Sequence, residues 1–504
     1  MHLFYFTWQL SKAHLALIVD ELEQVIKNGE KPIFVYCDGE LLPCSLNRYG
    51  ENNKCKLCRF YSQRLIQAYK QDVTFISLEE IKIPEPIEIS LDHIKSLDDL
   101  KTIEFNNVNL GYGLVSSYVS FTRNMAPLID EKFLEYCRKI LKYQQKLVLK
   151  FEQILKIYNI EAATLFNGRF SEIRPVFELL KNKIIDLICL ELIHDGKGET
   201  FKEKYINTLP HSIEYKQILI QKSWDTSKND GKAEQLGNEF FENRRQNRVV
   251  RDLITFTNHQ KQGIIPFEFD KSKTNIAIFI SSEDEFYAIG DTFDSKRLFK
   301  DQIEGCEFIL KNFYSSSFHF YIRLHPNLKD VKYKYHTQFY SLTEEYNNVT
   351  IIEPLSEVSS YSLIDHCSKV ISFGSTIGIE ATYWGKPSIL AGPSFYYYLG
   401  ACYIAKSREE LLRLIREVDI PFEREKALPL GNYFLNFQSY STSLEKSLKK
   451  VTFLGLNAGY IIPSIMFHKN PFFSKLIEKI IEFFYLKILP SRNFEQLNIP
   501  TNEK

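Results

Sequence analysis

The sequence predicts an α/β protein with two halves, each built around a mainly parallel sheet, followed by C-terminal helices. Short apolar runs of strand length alternate with stretches whose apolar residues recur at helical spacing. This alternation occurs twice, on either side of a polar and charged segment at residues 221–262. At about 100–200 residues per domain, the 504 residues suffice for two such domains and an extension.

The first half opens with the stretch "HLALIVDELEQVIKNG" at residues 14–29, which has helical spacing and ends in the helix-stopping pair Asn-Gly. The buried strand "PIFVYC" follows at residues 32–37. Apolar runs at 162–168 and 184–192 repeat the pattern, with a helix-like stretch between them. Strands that alternate with helices in this way indicate a parallel sheet.

The second half contains five further strand-like runs. They lie at residues 274–280, 318–326, 349–354, 369–374 and 387–392. The polar segment at 221–262 is interpreted as a linker with one solvated helix. The sequence therefore predicts a first domain at 1–265, a second domain at 266–430 and a helical tail at 431–504.

The charge balance and the hydropathy pattern exclude several classes of protein. Lys and Arg together equal Asp and Glu, at 63 each, so the chain lacks the basic surplus of a general nucleic-acid binder. No uncharged apolar stretch is long enough to span a bilayer. The first 22 residues lack a charged n-region and a small-residue cleavage site. We therefore expect a cytoplasmic protein that binds no nucleic acid.

The tail leaves two interpretations open. Residues 472–489, "FFSKLIEKIIEFFYLKIL", form an amphipathic helix with lysines on one side. Such a helix either packs on the two domains or lies on a membrane surface. The second interpretation predicts a peripheral contact with the inner membrane.

The stretch "SFGSTIGIEATYWGKPSI" at residues 372–389 is typical of a strand, a turn at Gly374, a short helix and a second strand. Ser375 and Thr376 stand where the helix begins. Ligands bind at this edge of open α/β sheets, and helix N-termini favour anions. Glu380, one turn later, could accept hydrogen bonds from ribose hydroxyls. The alternative is that the two hydroxyls only cap the helix and that the carboxylate is solvated.

The stretch "RLHPN" at residues 323–327 marks the same edge of the predicted sheet. His325 stands where a strand ends, and Pro326 prevents the strand from continuing. An imidazole at this position can donate a hydrogen bond to a phosphate. Arg323 could add positive charge. By itself the motif is also compatible with an ordinary strand end.

The stretch "ISSEDE" at residues 280–285 follows the first strand of the second half. Ser281 and Ser282 offer hydroxyls at the same edge. The three acids beside them could bind sugar hydroxyls or a metal. A polar connecting loop without a ligand is an equal alternative.

The order of these motifs, including "GIEATYWGKP" at residues 378–387, resembles the C-terminal half of GT-B glycosyltransferases. More narrowly, it resembles capsule and surface-polysaccharide biosynthesis proteins related to bacterial Kdo transferases and sialyltransferases. The resemblance covers residues 280–390. It implies a GT-B architecture, in which two Rossmann-like domains face a cleft, and an acceptor site on the first domain.

The resemblance also implies roles for individual residues. His325 and Pro326 would contact the nucleotide, and Ser375 and Thr376 its phosphate. Glu380 would bind the nucleotide ribose. The motifs leave open whether the nucleotide is CMP or UDP.

In the first half, the stretch "FNGR" at 166–169 ends a strand on the acceptor side, where Asn167 makes a turn with Gly168 and Arg169 would project from the sheet edge. The Gly- and Ser-containing stretch at 109–123 either lines the acceptor site or enters a core helix. Both interpretations stay open.

The stretch "ELIHDGKGE" at 191–199 ends the next strand and places Glu191, His194 and Asp195 close together. An inverting glycosyl transfer needs a general base that takes the proton of the acceptor hydroxyl. Related sialyltransferases use an acid-acid-glycine motif, whose first acid is replaced here by His194. Asp195 and Glu191 are therefore equal candidates.

Four of the nine cysteines, Cys37, Cys44, Cys55 and Cys58, form a C-x6-C-x10-C-x2-C pattern. The last pair has the spacing of a zinc knuckle, whereas the first pair is wider than usual. A structural zinc site, free cysteines and disulfides are the three alternatives.

These observations favour a glycosyltransferase that moves a sugar from a CMP- or UDP-linked donor to a surface polysaccharide or a lipid-linked glycan. A helix N-terminus can stabilise the leaving phosphate without a catalytic metal. Two alternatives remain. One is an enzyme similar to UDP-N-acetylglucosamine 2-epimerase, and the other is a non-catalytic nucleotide-sugar-binding assembly protein.

Overall fold

A computed structural model describes residues 1–194, 200–248, 257–314, 317–436, 452–453 and 456–457. Two six-stranded sheets dominate the described residues. Each sheet carries a separate hydrophobic core, and helices cover its faces.

The first sheet has the strand order β3-β2-β1-β6-β7-β8, and only the β7–β8 pair is antiparallel. A two-stranded hairpin, β4 and β5, inserts between its two halves. The strands are β1 His2–Phe6, β2 Ile33–Tyr36, β3 Thr74–Ser77, β4 Glu104–Phe105, β5 Val108–Asn109, β6 Ala162–Phe166, β7 Asp186–His194 and β8 Thr200–Ile206.

Six helices connect these strands. They are α1 Lys12–Lys27, α2 Asn52–Tyr69, α3 Leu97–Lys101, α4 Gly111–Thr122, α5 Glu131–Ile157 and α6 Arg174–Asn182. Helix α4 is buried along most of its length, because its residues are small or apolar on all sides. For the stretch at 109–123, the structure thus favours the core helix over the acceptor lining.

Two helices, α7 Ile213–Asn229 and α8 Ala233–Arg245, lead to the second domain. Residues 221–262 were expected to form a linker with a solvated helix, and this expectation is wrong for the described part. Phe240 and Phe241 of α8 are buried in a core that also contains Tyr383 and Phe434 of the second half. The two phenylalanines form an apolar face that the surrounding charges conceal in the sequence.

The second sheet is entirely parallel, with the order β11-β10-β9-β12-β13-β14. Its strands are β9 Thr274–Phe279, β10 Phe318–Arg323, β11 Val349–Ile352, β12 Lys369–Ser372, β13 Ser388–Leu390 and β14 Tyr403–Ile404. The five predicted strands of this half are therefore confirmed. The sequence did not reveal β14, which has only two residues.

The helices of the second half are α9 Asp291–Asp294, α10 Gln302–Asn312, α11 Lys334–Glu345, α12 Ser360–His366, α13 Ile377–Tyr383, α14 Arg408–Arg416 and α15 Leu428–Leu435. Helix α15 packs against α7 and α8. A short hairpin, β15 Thr452–Phe453 and β16 Leu456–Asn457, is the last described element. The predicted amphipathic helix at 472–489 lies outside the described residues.

Both sheets follow the strand order of a Rossmann-type sheet when the small hairpin is left aside. The carboxyl edges of the two sheets face each other. Arg169, after β6, donates a hydrogen bond across the cleft to the carbonyl of Glu285, after β9, at 2.9 Å. The predicted architecture, two Rossmann-like domains facing a cleft, is confirmed. The boundary predicted near residue 265 stays a prediction, although α7 and α8 share core residues with the second domain.

Among the described helices, none is both long and apolar enough to span a lipid bilayer.

Candidate functional site

A cavity of about 300 Å³ lies at the carboxyl edge of the second sheet. It occupies the switch point of the sheet, between the loops that follow β9 and β12, where open α/β sheets bind ligands. Eight of the nine residues predicted to bind the nucleotide sugar line it: Ser281, Ser282, Arg323, His325, Pro326, Gly374, Ser375 and Thr376. The sheet thus gathers three motifs that are far apart in the sequence.

The turn after β12 brings the backbone of Gly374 against the carbonyl oxygen of Pro393. Gly374 has φ 110°, and a Cβ atom here would lie 2.7 Å from that oxygen. The carbonyl of Ser375 accepts hydrogen bonds from the hydroxyls of Ser372 and Tyr396. Thr376 is the N-cap residue of α13 but makes no capping hydrogen bond with its side chain. The capping alternative is therefore not observed for Thr376.

His325 is neutral at physiological pH, because burial lowers the pKa of its imidazole to about 4. Its Nδ1 accepts a hydrogen bond from the backbone N–H of Asn327, at 3.2 Å. A neutral imidazole that accepts at Nδ1 carries its proton on Nε2. His325 therefore has a donor, and Pro326 begins the short turn that holds it at the end of β10.

Arg323 is buried at the end of β10, and burial lowers the pKa of its guanidinium to about 10. It donates to the carbonyls of Val358 and Ser356, at 3.0 and 3.2 Å, and lies 3.4 Å from Nε2 of His259. Its Nε is buried without a hydrogen-bond partner among the described residues. These contacts are neutral, so none of them balances the positive charge.

Glu380 is the one predicted nucleotide-sugar residue that does not line the cavity. Its carboxylate is completely buried and accepts hydrogen bonds from Arg244, at 3.0 Å, and from the hydroxyl of Tyr361. Arg244, on α8, lines the cavity and Glu380 does not. The contact with ribose stays a prediction, and in this structure the carboxylate serves instead as the buried partner of a cavity-lining arginine.

The two serines after β9 are engaged within the protein. Ser281 accepts from Gln302 at 2.8 Å and donates to the carbonyl of Phe373 at 3.2 Å. Ser282 donates to Asp284 at 2.7 Å. Both line the cavity, with hydroxyls that are already oriented by neighbouring groups.

The three acids of "ISSEDE" do not converge on the cavity. Glu283 forms an ion pair with Arg297, and Asp284 forms one with Arg123, each at 2.7 Å. Glu285 lines the cavity and accepts from the side chain of Asn327 at 2.9 Å. Only Glu285 of the three is therefore placed to meet a sugar hydroxyl.

The acceptor side of the cleft carries a polar pair formed by Asn167, directly after β6, and Glu191, within β7. Asn167, in a left-handed backbone conformation with φ 59°, donates to Oε2 of Glu191 at 2.6 Å. Burial raises the pKa of the Glu191 carboxyl to about 7, although Asn167 and Arg169 oppose the shift. A carboxylate with such a pKa suits general base catalysis near neutral pH.

The surroundings of the other two predicted catalytic residues, His194 and Asp195, are not described. The backbone of His194 ends β7, but its side chain is not described, and Asp195 lies outside the described residues. Both stay predictions. Of the three candidates, Glu191 is the one whose surroundings the structure gives.

Several residues at the cleft escaped the sequence analysis. His211 has a left-handed backbone with φ 72° and packs edge-on against Phe286, with the ring centroids 5.9 Å apart. Burial lowers the pKa of His211 to about 3. The cavity-lining residues that were missed include Arg244 of α8 and Phe395 after β13. They belong to no motif, because α8 and the loop after β13 reach the cleft only through tertiary packing.

The four clustered cysteines lie near the carboxyl ends of β1 and β2 and form no disulfide bond. Cys58 donates to Oε1 of Gln9 at 3.3 Å, and the amide of Asn47 donates to Cys55 at 3.2 Å. Burial raises the pKa of Cys37 to about 11. The described residues contain no group of three or more His, Cys, Asp or Glu side chains placed to hold a metal. The zinc site predicted for Cys37, Cys44, Cys55 and Cys58 stays a prediction that this geometry does not support.

A family model described as "Capsule polysaccharide biosynthesis protein" matches residues 286–410. The matched segment contains β10 to β14 and the motifs at 323–327 and 372–389. The resemblance to capsule biosynthesis proteins is thus confirmed for this part of the chain. No curated protein sequence matches the chain.

Solved structures similar to this chain include two from Thermosulfurimonas dismutans. The KpsC beta Kdo 2,7 transferase has a TM-score of 0.32 and 13% identity, over 58% of this chain and 82% of that chain. The KpsC beta Kdo 2,4 transferase has a TM-score of 0.29 and 13% identity, over 54% and 79%. A UDP-GlcNAc 2-epimerase from Neisseria meningitidis has a TM-score of 0.23 and 12% identity, over 86% and 96%.

Proposed function

We propose that the protein is a glycosyltransferase of capsule or surface-polysaccharide synthesis. It moves a sugar from a CMP- or UDP-linked donor to a glycan or lipid-linked acceptor. The nucleotide occupies the cavity of the second domain, and the acceptor enters from the first domain. We place the reaction in the cytoplasm or at the inner face of the membrane.

One observation carries this proposal: a cavity at the switch point of the second sheet collects donors of hydrogen bonds and positive charge. Neutral His325 offers its Nε2 proton. Arg323 and Arg244 bring guanidinium groups, and Ser375 and Thr376 bring hydroxyls. An anion of the size of a nucleotide phosphate is the ligand that this chemistry favours.

The same donors give the proposed reaction its leaving-group stabilisation. Negative charge develops on the nucleotide phosphate as the glycosidic bond to the sugar breaks. The guanidinium of Arg323, which contacts no carboxylate among the described residues, and the imidazole of His325 would interact with that charge. Because these groups supply the stabilisation, we propose that no catalytic metal is required.

Glu191 is the general base of the proposal. Its pKa of about 7 lets the carboxylate form at neutral pH and still accept the proton of an acceptor hydroxyl. Asn167 holds one of its oxygens and accepts a hydrogen bond from the backbone N–H of Arg169, whose side chain donates to the carbonyl of Glu285 on the donor side. These three residues form the acceptor side of the proposed site.

Calorimetric titration with CMP, CDP, UMP and UDP tests the donor site. We expect one pyrimidine base to bind at least tenfold more tightly than the other. A protein that binds none of the four would contradict the proposal. Binding that is never followed by sugar transfer to any glycan acceptor would favour the non-catalytic alternative. Interconversion of UDP-N-acetylglucosamine with its 2-epimer would favour the epimerase alternative.

A further inference from the structure

The C-terminal end of α4 is a point where the first domain contacts both nucleotide-site loops of the second domain. Arg123 terminates α4 with a left-handed backbone conformation, φ 58°. Its guanidinium forms a forked ion pair with Asp284, with Nε 2.7 Å from Oδ2 and Nη2 3.3 Å from Oδ1. Such a fork fixes both distance and orientation.

The same guanidinium reaches a second loop. Nη2 donates to Oγ of Ser282 at 3.1 Å, and Nη1 donates to the carbonyl of Asn327 at 2.8 Å. Ser282 follows β9, and Asn327 belongs to the turn that begins at Pro326 after β10. One side chain of the first domain therefore joins the two loops that carry the predicted nucleotide contacts.

Hydrogen bonds within these two loops connect Arg123 to the residues that line the cavity. The side chain of Asn327 donates to Ser282 at 3.3 Å, and its backbone N–H donates to Nδ1 of His325. Ser282 and His325 line the cavity, whereas Arg123 is not among its lining residues. Arg123 thus acts on the nucleotide site through other residues.

The second domain also contacts the backbone at the end of α4. The hydroxyl of Tyr335 donates to the carbonyl of Arg123, and the hydroxyl of Tyr333 donates to that of Thr122 at 3.0 Å. The last carbonyls of a helix have no partner within the helix. The second domain supplies partners for the carbonyls of Thr122 and Arg123, so the end of α4 loses these two hydrogen bonds when the domains separate.

The ion pair makes this arrangement depend on domain docking. The side chain of Asp284 is 8% exposed and that of Arg123 is 30% exposed. A largely buried carboxylate that loses its counter-charge is costly. When the domains separate, Asp284 loses its partner, and Ser282 and Asn327 lose the group that bridges them.

We propose that Arg123 is a positioning residue that couples docking of the two domains to the shape of the nucleotide site. Its guanidinium sets the relative position of Ser282 and the turn that holds His325. The inference rests on the proposed function for its ligand, but its structural part concerns only the two loops and the end of α4.

The test compares Arg123→Ala with Tyr112→Phe. Tyr112 makes another contact between the domains, because its hydroxyl donates to Asp291 and Asp294, which lie outside both loops. We expect Arg123→Ala to weaken the affinity for the best-binding nucleotide about tenfold, and Tyr112→Phe to change it less than twofold. Equal losses in both variants would overturn the proposal, because any loosened interface would then explain them.

A double-mutant cycle with Asp284→Asn sharpens the test. If Arg123 acts through Asp284, the double variant should bind nucleotide little worse than either single variant. Fully additive losses would overturn the inference. Should Arg123→Ala fail to fold, Arg123→Lys keeps the charge but loses the fork, and we expect an intermediate loss of affinity.

Hydrogen exchange without nucleotide separates this inference from the proposed function. We expect Arg123→Ala to speed amide exchange at 282–285 and 325–328, whereas Tyr112→Phe leaves these segments unchanged. Absence of nucleotide binding in the native protein would contradict the proposed function alone. Unchanged exchange in Arg123→Ala would overturn the positioning role, even where the native protein binds nucleotide.

Discussion

Arg244 of α8 and Glu380 of α13 form a buried ion pair, with Nη2 3.0 Å from Oε1. The glutamate side chain is completely buried, and the arginine side chain is 9% exposed. The pair joins a helix that precedes the second sheet to the motif after β12. Of the two charged side chains, Arg244 lines the cavity and Glu380 does not.

The first prediction concerns Glu380→Gln. The substitution leaves the guanidinium of Arg244 buried without its counter-charge, so we expect a loss of about 3–5 kcal/mol in the free energy of unfolding. Urea denaturation followed by circular dichroism measures this loss. Glu135→Gln, which breaks the exposed pair with Lys139, should cost about 0–1 kcal/mol.

A different outcome is expected if Glu380 instead binds the ribose directly. In that case Glu380→Gln would leave the unfolding free energy unchanged. It would also remove the preference for a nucleotide over its 2′-deoxy analogue.

The second prediction concerns Thr376→Val, which replaces the hydroxyl by a methyl group. Because Thr376 makes no capping hydrogen bond, we expect the unfolding free energy to change by less than about 0.5 kcal/mol. The affinity for nucleotide should fall about tenfold, as for one lost hydrogen bond to a charged group. Calorimetric titration and thermal unfolding measure the two effects.

The matched control is Ser407→Ala at α14, where the hydroxyl does cap, accepting from the N–H of Glu410 at 3.1 Å. This variant should lose about 1 kcal/mol of stability and keep its nucleotide affinity. A Thr376→Val protein that behaved like Ser407→Ala would show that Thr376 is a helix cap.

The third prediction concerns the charge state of His325. Because its pKa is lowered to about 4, the imidazole is neutral from about pH 5.5 to 8. His325 should therefore contribute no pH dependence to nucleotide binding in this range. His325→Ala should weaken binding about tenfold at every pH, as expected for a lost neutral donor to a phosphate.

A nucleotide diphosphate sugar is the probe for this experiment, because its phosphates do not titrate in this range. His93→Ala, at an exposed histidine, serves as the control. Affinity that falls steeply above pH 6 in the native protein, but not in His325→Ala, would indicate a bound imidazolium instead.

The fourth prediction concerns the pH dependence of turnover. A base must be deprotonated, so with a Glu191 pKa of about 7 the rate should fall about tenfold per pH unit below that value. Glu191→Gln should lower turnover by about 10²–10⁴-fold. Unchanged turnover in this variant would remove Glu191 from the mechanism.

Asn167→Ala provides the accompanying test. Asn167 donates to Glu191 and stabilises the charged form, so its removal should move the midpoint of the pH–rate profile upward.

The effect of Glu191 on the pH dependence of stability has the opposite sign to that of a paired carboxylate. The folded protein holds the Glu191 proton up to about pH 7, so the unfolding free energy should fall as pH rises from about 4.5 to 7. Glu191→Gln should remove this contribution.

The fifth prediction concerns the thiols. None of the nine cysteines forms a disulfide bond, and burial raises the pKa of Cys37, Cys44 and Cys58, which disfavours the reactive thiolate. We expect these three to react slowly with iodoacetamide in the native protein and rapidly in denaturant. One equivalent of zinc in the purified protein, released together with a burst of thiol reactivity, would instead establish the metal site.

Much of the second domain could be predicted because its strands are continuous apolar runs with motif residues at their ends. The periodicity of Val370 to Phe373, followed by Gly374, suffices to place a strand and a turn. The first domain was harder, since β3 and β8 are less uniformly apolar. The sequence of α8 predicts a solvated helix because its buried phenylalanines stand among charged neighbours.

The sequence by itself determined the α/β class, the parallel sheets and the three motifs at the carboxyl edge of the second sheet. Those features depend on residue spacing, and strand and helix periods can be read along the chain. Only the tertiary structure decided that Glu380 faces Arg244, that Asp284 faces Arg123, and that Glu191 is buried enough to hold its proton near neutral pH. Each depends on residues more than 20 positions apart that packing alone brings together.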